Sequence, residues 1–202
     1  MNAGHLEFCA SPAWRQMVQE EILPLARADI DLGPTVIEIG PGPGFTTDVL
    51  RHQVATLTAV EIDPLLADAL RDRLDGTNVE VQLGDATALE FPAGWFSGAA
   101  SFHMLHHIPG VEQQQRALSE LARVLRPGGV LVAADAGYSD GSNLFHEGDT
   151  YTPIEPESLV GRLGEAGFSD VTVHEHPLGW VCTARARGSE VAVGEETDPV
   201  GL

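Results

Sequence analysis

Short apolar runs alternate with amphipathic stretches along most of the chain. Five runs have the β-branched or small apolar residues and the abrupt polar or glycine ends of buried strands; they are residues 35–39, 56–60, 79–83, 98–102 and 130–134. Helical patterns separate them, and in residues 112–125 the leucines recur with helical spacing on one face. Strands that alternate with helices predict an α/β fold: a parallel sheet with right-handed crossovers and helices on both faces.

The two ends of the chain carry further signals. Ser11-Pro12 opens a helical stretch over residues 12–28, since serine caps helices and proline suits the first turn. Near the other end, residues 169–176 and 178–186 read as strands that are close enough in sequence to form an antiparallel hairpin. We therefore expect a single domain over residues 1–187.

Three segments lie outside this alternation or at its edges. We expect residues 5–28 to form a helical cover over the functional site. Residues 136–154 are rich in Gly, Ser and Asp, and a connection this long inside a compact domain indicates an active-site loop. Residues 188–202 are acidic with no basic residue after Gly188, which predicts a disordered tail.

Charge narrows the classes of partner. The 202 residues include 11 basic and 30 acidic ones, for a net charge of −19. Such a surface repels phosphate backbones and anionic lipids, so we expect no nucleic-acid and no membrane partner. No apolar run approaches the roughly 18 residues of a membrane span, and the first residues lack the basic region of a signal peptide. With only Cys9 and Cys182, both expected to stay reduced, we predict a cytoplasmic protein.

A glycine-rich loop follows the first strand. Residues 38–44 read Glu-Ile-Gly-Pro-Gly-Pro-Gly and lead into a helix, so the backbone can approach a ligand near free helical N–H groups. A dinucleotide fingerprint has glycines at relative positions 1, 3 and 6, but here the sixth position is Phe45. The chain also contains no lysine, which excludes a phosphate-binding P-loop. An NAD- or nucleotide-binding oxidoreductase thus stays only an alternative.

Acidic residues follow the next two strands. Glu61 ends the second strand, where a carboxylate can accept hydrogen bonds from ribose hydroxyls. Asp85 follows the third strand and can accept from an adenine amino group, although an isolated Asp here would more often be a turn residue. As an ordered series, the loop and the two acids favour a nucleoside ligand.

Together these motifs resemble the class I S-adenosylmethionine (SAM) dependent methyltransferases. The resemblance covers residues 35–186 and includes the 101–108 segment and the Arg-Pro-Gly-Gly turn at 126–129. It implies a three-layer α/β/α sandwich with a seven-stranded, mostly parallel sheet of order 3-2-1-4-5-7-6, strand 7 being antiparallel. It also implies SAM as cofactor, S-adenosylhomocysteine as product and in-line displacement of the methyl group by an O, N or C nucleophile. One departure is Ser97, where many members have Asp.

The resemblance assigns roles to individual residues. The loop residues Gly40, Pro41, Gly42 and Gly44 would pass the methionine part of SAM, with Glu38 orienting the loop and the amino group. Glu61 would hold the ribose, and Ile62 would pack on the adenine. The remaining positions would be Asp85 and Ala86 at the adenine, and Ser101, Phe102 and His103 beside the sulfonium.

Histidines follow the fourth strand, at the expected mouth of the site. His106, and after it His103, are candidates for a general base, since the ordinary pKa of histidine suits proton removal near neutral pH. An alternative is a divalent ion held by His103, His106 and His107 with Asp135. That spacing suits a joint ligand set only in a helix, so we expect no metal.

The substrate is expected to be a small molecule. Apolar candidates for its pocket are Phe8, Trp14, Tyr138, Phe145 and Trp180, with His146 also able to face it. The 38–42 and 61–63 segments are also similar to ribosomal RNA adenine dimethylases. Those enzymes, however, carry Asn-x-Pro-aromatic after strand four, where this chain has Ser-Phe-His-Met at 101–104. RNA methylation is therefore the second hypothesis.

Overall fold

Seven strands and six helices make up the part of the chain that the computed structural model describes, which is residues 3–9, 11–18, 20, 30–137, 146–177 and 179–188. In chain order the elements are α1 Ala3–Cys9, α2 Pro12–Met17, β1 Thr35–Ile39, α3 Phe45–Leu50, β2 Thr56–Glu61, α4 Pro64–Arg73, β3 Val79–Leu83, β4 Phe96–Phe102, α5 Gly110–Val124, β5 Leu125–Ala136, α6 Pro156–Ala166, β6 Phe168–His176 and β7 Gly179–Ala186. A short 3₁₀ turn, Leu105–His107, lies between β4 and α5.

The sheet has the order β3-β2-β1-β4-β5-β7-β6, which confirms the predicted topology. Strands β1 to β5 are parallel to their neighbours, and β7 runs antiparallel to both β5 and β6. The strand order reverses between β1 and β4. A crevice therefore opens at the carboxyl ends of these two strands, where sheets of this kind bind ligands.

Separate hydrophobic clusters hold helices on each side of the sheet. On one side, Leu118 and Leu121 of α5 and Leu159 of α6 pack among the buried side chains of β1, β4 and β5. On the other side, Leu50 of α3 and Leu70 of α4 pack in two smaller clusters. This is the three-layer sandwich that the sequence pattern predicts.

Two strands begin earlier than predicted because of long-range pairing. Strand β4 starts at Phe96 rather than at 98, and Ser97 explains the extension: its hydroxyl accepts from Thr35 N and donates to Thr35 O, both at 2.9 Å. Strand β5 starts at Leu125, which pairs with Phe96 before the Arg-Pro-Gly-Gly turn. Neither the pairing of Ser97 with Thr35 nor that of Leu125 with Phe96 can be predicted from the local sequence pattern.

The predicted N-terminal helix is confirmed at its start. Ser11 caps α2, its hydroxyl accepting a 3.1 Å hydrogen bond from Trp14 N. Residue 19 and residues 21–28 of that predicted helix, the 138–145 part of the predicted loop and the tail at 189–202 lie outside the described residues. Cys9 and Cys182 are free thiols. Among the described helices, none combines the length and apolar character that spanning a bilayer requires.

Candidate functional site

The glycine loop forms a tight turn between β1 and α3. Gly44 caps α3 with φ = +85°, and a side-chain carbon there would overlap Leu70 and Arg73, so glycine is required for packing as well as for backbone geometry. Gly42 also has a positive φ, +53°, but a side-chain carbon at this position would meet nothing within 4 Å. The loop therefore borders open space at Gly42, as a ligand-binding loop must.

Glu38 fixes the loop from beneath. Its buried carboxyl group accepts hydrogen bonds from the hydroxyls of Thr46 and Thr47 in the first turn of α3, the latter at 2.6 Å. Burial raises the pKa of Glu38 to about 7, against a smaller opposing effect of the two hydroxyl groups. The side chain thus joins β1 to α3 across the loop that it precedes.

The carboxylate of Glu61 faces the glycine loop. One oxygen accepts from Gly42 N at 3.0 Å, and the other accepts from the backbone N–H groups of Ile62 and Asp63 at 2.9 and 3.0 Å. Glu61 ends β2 and is only 5% exposed. Charge-assisted bonds of this kind fix a carboxylate in place at the edge of the crevice.

The residues predicted to contact the adenine follow β2 and β3. Gly84 N donates to Glu61 O at 2.9 Å, which holds the two strand ends together. Asp85 is exposed and one of its oxygens accepts from Thr87 N at 2.8 Å, with Ala86 in the same turn. Ile62 is an apolar side chain that is 67% exposed, which is unusual for a position next to a buried strand. Ile62 and Asp85 are thus both accessible to a ligand.

The structure separates Ser101 and Phe102, two of the three residues predicted beside the sulfonium. Ser101 lies next to Ile39 of β1 and is fully buried, and its hydroxyl has no hydrogen-bond partner among the described residues. Phe102 packs instead with Leu50 and Val132 in the core cluster on the α3 side of the sheet. Consecutive strand residues point to opposite faces, so only one of the two side chains can face the same side as Ile39.

His103 and Met104 follow β4 directly below the N-terminal helices. His103 has a left-handed backbone (φ = +51°). Its ring and that of Trp14 of α2 pack edge-to-face, with ring centres 4.8 Å apart. Burial lowers the pKa of His103 to about 4, so its imidazole is neutral at neutral pH. Met104, which the sequence analysis did not single out, fills the space against Gly40, where a side-chain carbon would overlap it.

A buried His–Asp pair lies at the ends of β4 and β5. His106 Nδ1 bonds to one oxygen of Asp135, and His106 N donates to the other oxygen at 3.0 Å. Both side chains are almost completely buried. Burial alone would raise the pKa of Asp135, but the adjacent His106 ring and its hydrogen bond reverse this effect and bring the pKa below its usual range.

Residues from the long connection complete this histidine cluster. His146 Nε2 is 3.3 Å from His106 Nε2, and His107 lies beside both rings. Tyr151 stacks on His146 with ring centres 4.1 Å apart, and its hydroxyl donates to Gly137 O at 2.7 Å. No local pattern could have placed Tyr151 here, because it is contributed by a segment about 45 residues further along the chain.

Of the five predicted pocket residues, two pack near His103, one lies in the core and two lie outside the described residues. Trp14 contacts His103, and Phe8 packs on Trp14 with ring centres 5.6 Å apart. Trp180 does not line a pocket: it is 1% exposed in the main core, and its indole N–H donates to Ile154 O at 2.9 Å. Tyr138 and Phe145 lie outside the described residues.

These residues suit an adenosyl cofactor. Open space above Gly42, an acid fixed at the adjacent strand end and an accessible apolar side chain at Ile62 provide for a polar sugar next to a flat apolar base. A second acid, Asp85, stands one strand further along, where the adenine amino group would follow.

Comparison with known proteins agrees with the geometry. A family model described as "Methyltransferase domain" matches residues 37–133. A curated relative from Methanothermobacter thermautotrophicus, named "Probable ribosomal RNA small subunit methyltransferase A", is 44% identical over 68 residues. That alignment covers 34% of this chain and only 25% of the relative, so the chain matches about a quarter of the length of such relatives.

Solved structures share the fold over most of the chain. A SAM-dependent methyltransferase from Mesorhizobium loti has a TM-score of 0.69 at 17% identity, covering 83% of this chain and 99% of that one. A chain in the complex between the Haloferax volcanii Trm112 methyltransferase activator and a methyltransferase has a TM-score of 0.70 at 18% identity, covering 94% and 100%. Together, the strand order, the domain matched over just under half of the chain and these neighbours confirm the predicted class I SAM-dependent methyltransferase fold.

Proposed function

We propose that the protein transfers the methyl group of SAM to an O, N or C nucleophile of a small molecule. The observation that carries this proposal is the contact of Glu61 with Gly42, which brings the acid of β2 to the loop of β1 at the crevice. When bound, SAM supplies a methyl group activated by its sulfonium. The chain then has to bind the cofactor, orient the nucleophile and exclude water.

In this proposal the residues at the ends of β1, β2 and β3 bind the SAM cofactor. In this proposal Glu61 holds the ribose hydroxyls, Ile62 packs on the adenine and Asp85 accepts from its amino group. Glu38 acts through the loop, since its two threonine bonds fix α3 relative to β1. The hydroxyl of Ser101, buried next to Ile39, has no hydrogen-bond partner among the described residues, and in this proposal it faces the cofactor.

In this proposal the N-terminal helices exclude water from the reacting groups. Trp14 of α2 contacts His103, and the Arg15 guanidinium lies over the Phe45 ring at 4.3 Å. Helix α2 is therefore anchored both to the end of β4 and to the first residue after the glycine loop. In this proposal a cover in this position shields the reacting groups from water and favours a small molecule over a polynucleotide.

Where the nucleophile carries a proton, we assign its removal to His106. Asp135 bonds to Nδ1 of that ring, so in this proposal the proton is accepted at Nε2, which lies 3.3 Å from Nε2 of His146. His103 is the weaker candidate, since burial has lowered its pKa to about 4 and a base of that strength removes protons poorly.

RNA is the second candidate substrate, because the curated relatives are named as ribosomal RNA methyltransferases. Two observations favour a small molecule instead. A net charge of −19 opposes the approach of a phosphate backbone, and residues 101–104 lack the Asn-x-Pro-aromatic sequence of the RNA adenine dimethylases.

Cofactor binding tests the assignment directly. We expect S-adenosylhomocysteine to raise the melting temperature of the wild-type protein, and NAD to have no effect. Glu61→Ala and the milder Glu61→Gln should weaken S-adenosylhomocysteine binding by at least about tenfold, as expected for the loss of a charge-assisted contact. Glu175→Gln, at an exposed position on β6, is the matched control. Unchanged affinity in both Glu61 variants, or stabilisation by NAD alone, would contradict the proposal.

Substrate class is tested by transfer of labelled methyl groups. Incubation of the protein and labelled SAM with a metabolite extract should label a small molecule, whereas purified ribosomal RNA in a parallel reaction should stay unlabelled. Label in the RNA alone would replace the first candidate by the second.

A further inference from the structure

Three histidine rings converge where β4, β5 and the long connection meet. The ligand atoms that His106, His107 and His146 offer all lie within 4.8 Å of one another. The metal set considered from sequence was different, since it contained His103 and Asp135. In the structure His103 turns towards Trp14, with its ring centre 6.4 Å from that of His106, and Asp135 binds the far nitrogen of His106.

Nitrogen spacing in this cluster matches metal coordination. The Nε2 atoms of His106 and His146 are 3.3 Å apart. Two imidazole nitrogens that are each about 2.0–2.1 Å from a tetrahedral Zn²⁺ ion are separated by about 3.3–3.4 Å. The first two ligands are thus already at the right separation, and the adjacent His107 ring, with its centre 4.2 Å from that of His106, would supply the third.

The surroundings of the rings also match those of metal sites. Metal-bound histidines usually donate their second nitrogen to a carboxylate, which fixes the ring and makes it a better ligand. Asp135 serves His106 in this way, and Asp149 lies 3.9 Å from His107 Nδ1. His146 is held by stacking on Tyr151. The buried carboxylate of Asp135 also supplies negative charge close to the centre.

We propose that His106, His107 and His146 bind one divalent transition-metal ion of the Zn²⁺ or Co²⁺ type. Imidazole ligands select such ions over Mg²⁺ and Ca²⁺, which prefer oxygen. Three protein ligands leave a fourth position open to water or to a substrate atom. Metal binding does not rest on the proposed methyl transfer. It does compete with the proton-accepting role of His106, because both use the same Nε2 atom.

Cobalt provides the direct test, since tetrahedral Co²⁺ absorbs visible light. The full chain, freed of metal with a chelator and titrated with Co²⁺, should bind one ion and develop this absorption. His107→Ala and His146→Ala should lose it, and Asp135→Asn should weaken binding about 10- to 100-fold. His174→Ala, at an exposed position on β6, is the matched control and should bind like the wild type.

Binding of S-adenosylhomocysteine separates this proposal from the previous one. His107→Ala and His146→Ala should keep the thermal shift with S-adenosylhomocysteine, which shows that the fold and cofactor site are intact. If either variant fails to fold, the glutamine substitution at the same position replaces it. Absence of the cobalt spectrum in the wild type, or a spectrum that survives in both folded histidine variants, would overturn the metal site whatever the outcome for methyl transfer.

Discussion

At the scale of single residues, Glu38 shows how a titratable carboxyl group can be retained in a core. Its carboxyl group is 1% exposed, yet two threonine hydroxyls satisfy it across the glycine loop. Burial disfavours the ionised form more than these bonds favour it, and the pKa rises to about 7. The residue therefore couples the stability of the loop to pH.

We predict that Glu38 makes the protein less stable as the pH rises from about 4.5 to 7. Below pH 4.5 the carboxyl is protonated in both states; above it, the unfolded chain loses the proton first, so deprotonation favours unfolding. The free energy of unfolding should fall by roughly 3 kcal/mol over this range on account of this group. Urea denaturation at several pH values should show a flatter profile for Glu38→Gln than for wild type.

Other acids also titrate in this range, so the comparison needs a reference. Glu175→Gln, at an exposed position on β6, removes one carboxyl without touching the loop and should leave the slope unchanged. A Glu38→Gln profile parallel to that of the wild type would show that the carboxyl does not carry the effect.

At the scale of elements, the sequence determines most of what the structure shows. The β-branched runs became β1, β2 and β3 with nearly the predicted bounds, because each run is ended locally by glycine or polar residues. The ends that shifted are those of β4 and β5, where Ser97 and Leu125 join the sheet through partners on other strands. Local patterns encode where a strand is apolar, whereas pairing decides where it begins.

The connection between β1 and α3 yields an element-scale prediction. Gly42 and Gly76 both have positive φ, +53° and +71°, and at both a side-chain carbon would meet nothing within 4 Å. Alanine at either position should lower the free energy of unfolding by about 1–2 kcal/mol, the cost of a left-handed alanine. Only Gly42→Ala should also weaken S-adenosylhomocysteine binding, because its methyl group enters the space above the loop.

Gly76→Ala thus serves as the control with the same backbone cost. Denaturant titrations give the stability change and calorimetry gives the affinity. Equal affinities for the two variants would mean that the space above Gly42 is not part of the cofactor site.

At the scale of the whole molecule, charge is the dominant feature. Thirty acidic residues and 11 basic ones give a net charge of −19, and mutual repulsion of the acidic groups opposes the compact state. The structure offsets part of this with exposed ion pairs such as Arg73 with Asp48 at 2.8 Å, although pairs of this kind contribute little individually. Stability should therefore depend on screening by salt.

We predict that the melting temperature rises with NaCl between about 0.05 and 1 M. The screening length falls from about 10 Å at 0.1 M to about 3 Å at 1 M, so repulsion between neighbouring acids weakens steadily over this range. Thermal unfolding at fixed pH measures the effect. A melting temperature that stays constant or falls with NaCl would show that repulsion is not a significant destabilising term.

By itself the sequence determined the α/β alternation, the glycine loop and the order of Glu61 and Asp85 after their strands. These features are local: a loop and a strand end lie within a few residues of each other, and parallel strands bring all their carboxyl ends to one edge. Their convergence follows from topology once the strands are identified. Phe102 is the exception, since its side chain faces the core cluster on the α3 side of the sheet.

Only the tertiary structure decided which residues form the histidine cluster. His106 meets Asp135 across 29 residues of sequence and His146 across 40, and neither separation corresponds to a helical or strand period. These contacts arise because β5 lies next to β4 and because the described part of the following connection, from His146 onwards, lies against both strand ends. Periodicity encodes which face of an element is buried, but it carries no information about which distant side chain lies on the other side of that face.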